Sequence, residues 1–357
     1  MKNKIKHSIL TALAVTLFLV LSPVVVAQTA ADEVEFRPLF QSHDILNVRI
    51  EAPITTLMKE QPEEEYLDGT FSYTDSAGME HKLDLKLQTR GRFRRNKSTC
   101  TFSPIRLNFR KKQVTGTEFA GQDKLKLVTH CKPSKSYEQL VLREYLTYRM
   151  LRTLTDNSFG ARLMRITYVN TEKNGDSITK YGFVIEDEDD IGERLGLIAF
   201  KERKIASADL DGRQANLVSV YEYLIGNTDF SLILGPEHSS CCHNAVLFSN
   251  GAAPYTPIPY DFDFSGFVDA PYATANPRFK LRSVKTRLYR GRCRNNELLD
   301  DTFAYFVEKE PDIRMLVAEL EGLNKGNRKQ VDKYLDSFYK DIADPKKKER
   351  NFIKKCL

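Results

Sequence analysis

The stretch NTDFSLILGPEHSSCCHNAVLFSNGAAPYTPIPYDFDFSG, residues 227–266, contains four side chains whose order is informative: Asp229, Asn244, Asp261 and Asp263. Asp229 follows an apolar run, and Asn244 precedes the β-like run AVLF. Asp261 and Asp263 come after a turn rich in Gly, Pro and Asn. In phosphoryl-transfer sites of this order, one Asp orients the attacking hydroxyl, while an Asn and a later Asp bind a metal such as Mg²⁺. The stretch therefore predicts a phosphate–metal site, with turn and cap roles as the simpler alternative for each residue.

The first 27 residues have the composition of a secretory signal peptide. A basic segment with Lys2, Lys4 and Lys6 precedes the apolar segment from Ile9 to Leu21, and small residues end at Ala27. This apolar segment is shorter than a typical membrane span. We expect cleavage near Ala27 and an exported protein, periplasmic or extracellular, whose mature part does not span a membrane. An uncleaved anchor is the alternative.

The mature chain is large and only mildly basic. Cleavage would leave 330 residues (357 minus 27), enough for one large domain or two modest ones. Loss of three signal lysines lowers the formal net charge from +6 to +3, so no nucleic-acid partner is predicted. The basic tail 346–357 is most simply a solvated helix, with loose contact to acidic surfaces as the alternative. We expect a monomer.

Six cysteines lie in the exported part, which predicts disulfides. Cys100 with Cys131 is the favoured pair because each flanks one of two neighbouring strand candidates. Cys241 and Cys242 could each bond to a distant cysteine, and the candidates are Cys293 and Cys356. A zinc site using these neighbours with His238 and His243 is an alternative, but CC lacks the CxxC spacing.

Apolar periodicity divides the chain into a β-rich part and a helical part. Strands are predicted at 45–54, 81–91, 103–112 and 123–130, and the second alternates leucines with polar residues. The period then becomes helical at 137–155, the strongest helix signal in the chain. A hairpin at 161–189 and further helices follow.

This order predicts the α+β class and a bilobal atypical protein-kinase-like fold. An antiparallel β-rich N-terminal lobe would precede a mostly helical C-terminal lobe. The predicted divisions are a signal peptide (1–27), the β-rich lobe with its long helix (28–190), the helical lobe with the site segment (191–345) and the basic tail (346–357).

Eight short segments occur in an order that carries a family resemblance: TRGRFRR (89–95), KLKLVTHC (124–131), LVLREYLTYRMLRTLTDNSFGARL (140–163), YGFVIEDED (181–189), LIGNTDFS (224–231), HNAVLF (243–248), PYDFDFSG (259–266) and RLYRGRC (287–293). Together they resemble the CotH kinase-like family of atypical protein kinases, spore-coat protein H-type, in a secreted bacterial branch. The resemblance covers roughly residues 85–295. It implies binding of ATP with Mg²⁺ or Mn²⁺ and phosphate transfer to a hydroxyl of an unknown protein or small-molecule acceptor.

The resemblance also implies roles for the four residues of the site segment. Asp229 would be the catalytic base or hydroxyl-orienting group. Asn244 and Asp261 would bind the metal, with Asp263 as a helper or as the alternative to Asp261.

The residues that the resemblance implies for ATP binding all precede residue 190 and are Lys126, Glu144, Glu186, Arg90 and Arg92. Glu144 on the long helix would pair with the nucleotide-anchoring Lys126. Lys124 and Arg106 are rivals for that anchoring role. Glu186 lies where backbone groups would hold adenine, and Arg90 and Arg92 would touch phosphates.

Three features depart from the kinase pattern and leave other functions open. Phe230 follows Asp229, at a position where many kinase-like sites have His. The sequence also lacks a GxGxxG loop, and ATP is scarce outside the cytoplasm. A catalytically silent binding or envelope-assembly protein is the alternative. Nucleotidyl transfer would use the same ligands. A hydrolase using Asp261 and Asp263 is a third possibility, but strand positions i and i+2 share one face and would be crowded.

Overall fold

The computed structural model describes residues 35–357, so the predicted signal peptide, residues 1–27, lies outside the described residues. The strands are β1 (Leu46–Ala52), β2 (Leu67–Thr74), β3 (Glu80–Thr89), β4 (Ile105–Phe109), β5 (Lys124–Val128), β6 (Ala161–Asn170), β7 (Ser177–Ile185), β8 (Ile198–Ala199), β9 (Ala245–Ser249) and β10 (Thr256–Pro259). The α-helices are α1 (Pro38–Gln41), α2 (Ile54–Glu60), α3 (Lys111–Val114), α4 (Lys135–Leu154), α5 (Glu188–Leu195), α6 (Gly212–Ile225), α7 (Leu299–Glu308), α8 (Glu310–Glu319), α9 (Lys325–Ala343) and α10 (Pro345–Asn351).

Seven strands close into a barrel in the order β1-β2-β3-β4-β5-β7-β6. Neighbouring strands pair antiparallel except β1 and β6, which run parallel with Leu46 opposite Met164. On β3, the buried residues Leu83, Leu85 and Leu87 alternate with exposed or half-buried ones, as a strand with one face on a core requires. Closure gives every strand two neighbours, which removes the unpaired edges of an open sheet.

Helix α4 belongs to a second apolar core outside the barrel interior. Its residues Tyr145 and Tyr148 are buried with Tyr221 of α6 and Phe338 of α9. The barrel interior forms a separate cluster that includes Phe71. Because α4 is buried along most of its length, its polar side chains must find partners inside the protein.

A small three-stranded sheet, in the order β10-β9-β8, carries part of the site segment. Strands β9 and β10 are antiparallel, with Pro259 opposite Ala245. This register brings the residue before β9, Asn244, beside the residues that follow β10. The backbone N–H of Tyr260 accordingly donates to the Asn244 carbonyl at 3.0 Å.

The predicted fold class, a bilobal atypical protein-kinase-like fold with an antiparallel β-rich lobe and a helical lobe, is wrong. The structure has a closed, mixed seven-stranded barrel plus helices, and a bilobal kinase-like arrangement is not indicated. The difference arises because β1 pairs in parallel with β6, from Leu46 opposite Met164 to Ala52 opposite Asn170. This pairing makes the later β6–β7 hairpin part of the barrel. Pairing between segments so distant in sequence leaves no local periodic signal. The predicted division at residues 190 and 345 stays a prediction.

Three disulfides join the six cysteines. Cys100 bonds to Cys131, the pair favoured from the sequence. Cys241 bonds to its neighbour Cys242, and Cys293 bonds to Cys356, so the distant bonds considered for Cys241 and Cys242 do not form. A helix with the length and apolarity needed to cross a membrane does not occur in residues 35–357. The three disulfides are compatible with an exported protein.

Candidate functional site

Asp229 lies three residues beyond a sharp end of helix α6. Gly226 caps the helix in the left-handed region at φ 64°, a conformation that glycine adopts without a Cβ penalty. The chain then turns, and the Asn227 side-chain oxygen accepts the Asp229 backbone N–H at 2.9 Å. This turn places the Asp229 carboxylate, which is half-buried, in front of the small sheet.

Two neighbouring side chains hold the Asp229 carboxylate and backbone. His243 Nε2 lies 2.9 Å from Asp229 Oδ1. The Asn244 amide donates to the Asp229 carbonyl at 2.7 Å and to Oδ2 at 3.2 Å. The hydrogen bond to Asp229 raises the pKa of His243, against the effect of burial. The sequence reasoning gave His243 no role beyond the zinc alternative, although it directly precedes the predicted ligand Asn244.

Asn244 and Asp261 share an unusual backbone conformation. Both have positive φ, 54° and 63° respectively. Residues other than glycine that are held in this region often lie at functional sites. The Asp261 backbone N–H donates to the Tyr148 hydroxyl of α4 at 2.9 Å, which fixes the turn after β10. Tyr148 was not predicted as a site residue.

Asp263 is the buried acid of the cluster, whereas Asp261 is exposed. Asp263 Oδ2 accepts a hydrogen bond from the Tyr272 hydroxyl at 3.1 Å. Burial, followed by the nearby charge of Asp261, raises the pKa of Asp263 to about 7, and Asp229 contributes in the same direction. The three carboxylates therefore lie within electrostatic reach of one another.

Arg94 is the cation inside this acidic cluster. Its Nη1 lies 3.4 Å from Glu144 Oε2 and 4.0 Å from Asp263 Oδ2, while Nη2 donates to the Thr129 carbonyl at 2.6 Å. Burial opposes the charged form of Arg94, but Tyr272 and these carboxylates outweigh it and raise the Arg94 pKa. Burial also raises the pKa of Glu144, and Arg94 opposes that effect.

The structure does not bring Glu144 to Lys126, the pair that the family resemblance implied. Glu144 faces Arg94 instead, whereas the Lys126 ammonium lies over the Tyr260 ring, 5.6 Å from its centre. Burial, and then the nearby Arg90, lowers the pKa of Lys126. The two other candidates for the anchoring role, Arg106 and Lys124, also lie on the barrel wall. Arg106 is opposite Lys126 in the β4–β5 pairing, and Lys124 is opposite Asn108.

Arg90 and Arg92 differ in their surroundings. Burial lowers the pKa of Arg90, and Asp261 is the strongest opposing charge, so the Arg90 guanidinium lies within reach of Asp261. Arg92 is exposed. It makes no ion pair with any other residue in the described range.

Glu186 forms a buried ion pair with Arg194, and both of its carboxylate oxygens accept hydrogen bonds. It is fully buried, its Oε1 accepts from Arg194 Nε at 2.8 Å, and its Oε2 accepts the Gly160 N–H at 2.8 Å. The Glu186 backbone N–H donates to the Gly160 carbonyl at 2.9 Å. This N–H is thus not available to hold an adenine ring.

Two cavities adjoin the site. One of about 220 Å³ is lined by His243, Asn244 and Tyr260. Another of about 410 Å³ is lined by a mixed-charge set that includes Lys126 and Asp187. A third cavity, of about 450 Å³, lies against β1, β2 and β6 and is lined by no predicted site residue.

The structure rules out the cysteine-based zinc site and leaves oxygen donors in the predicted set. Cys241 and Cys242 are bonded to each other, so they cannot serve as thiolates in the zinc site considered above. In residues 35–357 no three His, Cys, Asp or Glu side chains are arranged as a metal site. The predicted set of Asn244, Asp261 and Asp263 instead offers oxygen atoms of one amide and two acids, which suits Mg²⁺ or Mn²⁺ with phosphate and water as further ligands.

Comparison with known proteins gives no family assignment. No protein-family model matches the chain, and no curated protein matches its sequence significantly.

Proposed function

We propose that the chain binds a nucleoside triphosphate such as ATP together with Mg²⁺ or Mn²⁺ and transfers a phosphoryl group to a hydroxyl of a protein or small molecule. Nucleotidyl transfer from the same ligands is a variant of this reaction. The signal-peptide pattern and the disulfides favour a periplasmic or extracellular location for it. The proposal includes the resemblance of the chain to the CotH kinase-like family.

The observation that carries the proposal is the convergence of oxygen donors around Asp229. Asn244 contacts Asp229 directly, the β9–β10 register places Asp261 beside Asn244, and Asp263 lies within electrostatic reach of both acids. The Asn244 side-chain oxygen accepts no hydrogen bond from residues 35–357, and the Asp261 carboxylate makes none there either. These oxygens are therefore free for a ligand.

Asp229 orients the acceptor hydroxyl in this proposal. Each carboxylate oxygen can accept more than one hydrogen bond, so the contacts with His243 and Asn244 leave room for the acceptor. Phosphoryl transfer through a loose transition state needs positioning more than a strong base. A carboxylate fixed on two sides supplies that positioning.

The metal-binding role falls to Asn244, Asp261 and Asp263. Burial, and then the charge of Asp261, raises the pKa of Asp263 to about 7, and a bound cation would oppose both effects by favouring the charged carboxylate. A bound Mg²⁺ or Mn²⁺ would neutralise charge on the transferred phosphate. Arg90, within reach of Asp261, and Lys126, beside Tyr260, provide protein cations for the remaining phosphates.

A catalytically silent binding or envelope-assembly protein is the second candidate, and one observation favours it. Glu144 is engaged by Arg94, so the lysine–glutamate pair implied for an active nucleotide site does not form. In that case the acidic cluster would serve structure or metal binding without turnover.

Titration calorimetry of the mature, oxidised protein with ATP and Mg²⁺ or Mn²⁺ tests the proposal. We expect metal-dependent binding that weakens at least about tenfold in Asp261→Ala, equivalent to about 1.4 kcal/mol. Glu64→Ala is the matched control, because Glu64 is an exposed carboxylate outside the site. Absence of metal-dependent binding by a folded wild-type protein would refute the proposal. Binding without phosphate transfer to any acceptor would favour the silent alternative.

A further inference from the structure

Glu222 is a buried acid that the proposed reaction does not use. It lies in the last turn of α6, is fully buried, and neither of its carboxylate oxygens makes a well-formed hydrogen bond with residues 35–357. Its neighbours along the helix, Tyr221, Tyr223 and Leu224, are apolar or aromatic and buried. A buried carboxyl group costs stability, and replacing such groups by apolar side chains is often neutral or stabilising. Packing alone therefore does not explain this side chain.

Two polar side chains flank Glu222. The Asn227 amide is near enough to lower the Glu222 pKa, and its nitrogen has no other partner among the described residues. The Arg290 guanidinium exerts an attraction in the same direction. Burial nevertheless dominates and raises the pKa of Glu222 to about 8, so the group is mainly neutral at pH 7.

Both neighbours of Glu222 hold the backbone around Asp229. Asn227 accepts the Asp229 N–H at 2.9 Å. Arg290 donates to the Thr228 carbonyl at 3.1 Å and to the Phe230 carbonyl, the groups on either side of Asp229. The Arg290 guanidinium also lies over the Phe230 ring, 4.7 Å from its centre. The segment is thus held from one side by Asn227 and from the other by Arg290.

We propose that Glu222 is a positioning residue for Asp229: its two buried carboxyl oxygens are the acceptors for the buried nitrogens of Asn227 and Arg290 that have no other partner in residues 35–357, and the Asn227 backbone N–H already donates to the Glu222 carbonyl at 2.8 Å. The effect of Glu222 on turnover rests on the proposed function, whereas the effect of Glu222 on the Asp229 backbone does not. Asn227 and Arg290 both present N–H donors, so the group they need from Glu222 is an acceptor oxygen; a neutral carboxyl group keeps its carbonyl oxygen, and glutamine keeps the same acceptor at nearly the same size. Glu222→Gln should therefore preserve the arrangement and Glu222→Leu should lose it.

Amide hydrogen exchange of the oxidised protein, read by NMR at single residues, tests this inference. Within residues 35–357 the Asp229 N–H is bonded only to the Asn227 side chain, so its exchange reports the local arrangement. We expect Glu222→Leu to raise Asp229 exchange by about tenfold. The amide of Val220, within α6, should change much less, and Glu222→Gln should stay within about threefold of wild type at both amides.

Two results would overturn the inference: Asp229 exchange that is unchanged in folded Glu222→Leu, or exchange raised equally by the Gln and Leu variants. If Glu222→Leu does not fold, Glu222→Met makes the same test with a more flexible apolar side chain, and unchanged Asp229 exchange there has the same meaning. No nucleotide is needed for this measurement. A wild-type protein that fails to bind ATP would therefore refute the proposed function while the exchange data still decide the role of Glu222.

Discussion

Replacing Arg94 with methionine tests whether one buried cation holds the acidic cluster together. The Arg94 side chain is only 10% exposed, and its partners Glu144 and Asp263 are 3% and 6% exposed. Removing one member of a buried ion pair typically costs about 3–5 kcal/mol, because the remaining charge is left without a partner. Loss of the donor to the Thr129 carbonyl adds about 1 kcal/mol. Since Asp263 lies at 4.0 Å, we expect the total loss of unfolding free energy to be near the lower end of this sum, about 4 kcal/mol at pH 8.

The loss should depend on pH in a defined direction. Without Arg94, the folded-state pKa values of Glu144 and Asp263 rise further above their unfolded values. The folded variant then binds more protons than the unfolded chain in the acid range, so acidification stabilises it relative to wild type. The pKa of Asp263 is about 7 even with Arg94 present, so protonation should relieve most of the penalty by pH 5. Only the pH-independent loss at Thr129, about 1 kcal/mol, should remain.

Urea unfolding at pH 5 and pH 8, under oxidising conditions, provides the assay. The chain has no tryptophan, so far-UV circular dichroism is the suitable signal. The double variant Arg94→Met with Glu144→Gln is the matched control and should recover part of the loss at pH 8, because it removes one unpaired carboxyl group. A loss of equal size at both pH values, or one below about 1 kcal/mol at pH 8, would refute this account of the cluster.

Three further predictions concern single groups of the fold and the site. Because the pKa of Asp263 is raised from 3.8 to about 7, its contribution to the unfolding free energy should fall as pH rises from about 4 to 7, so urea titrations of Asp263→Asn should lack this component of the wild-type pH dependence; identical pH dependence in the two proteins would contradict the raised pKa. Replacing Cys100 and Cys131 with alanine opens a loop of sequence separation 31 and should lower the unfolding free energy by about 4 kcal/mol, measured by the same unfolding assay; a loss under about 1 kcal/mol would show that the bond constrains little. An NMR titration should place the His243 pKa above 6.5, and Asp229→Asn should lower it; identical titrations would argue against their hydrogen bond.

Local patterns predicted the individual elements well. The alternation at 81–91 corresponds to strand β3, Glu80–Thr89, and the helical period at 137–155 corresponds to α4, Lys135–Leu154. Both signals arise from neighbours along the chain, so they are visible in the sequence itself. The disulfide Cys100–Cys131 could likewise be predicted from the sequence, because its cysteines flank adjacent strands.

Contacts between distant segments were not predictable in this way. The parallel β1–β6 pairing depends on how the barrel closes, and nothing in either strand specifies its partner. The partner of Glu144 depends on the same closure, since Arg94 reaches α4 from the loop after β3 whereas Lys126 lies on β5 beside Tyr260. The structure therefore pairs Glu144 with Arg94, and the nucleotide-binding roles expected for Glu144 and Lys126 stay predictions.

Helix α4 explains why the predicted site segment is nevertheless assembled. Glu144 and Tyr148 are spaced i, i+4 and thus lie on one face of the helix. Tyr148 accepts the Asp261 backbone N–H, and Glu144 binds Arg94, which in turn faces Asp263. Buried polar side chains need hydrogen-bond partners inside the protein, and α4 is buried along most of its length. The face of α4 with Glu144 and Tyr148 therefore packs against polar groups of another segment. The two acids of DFDFSG are positioned by that face, which makes α4 the structural support of the site whatever reaction the site performs.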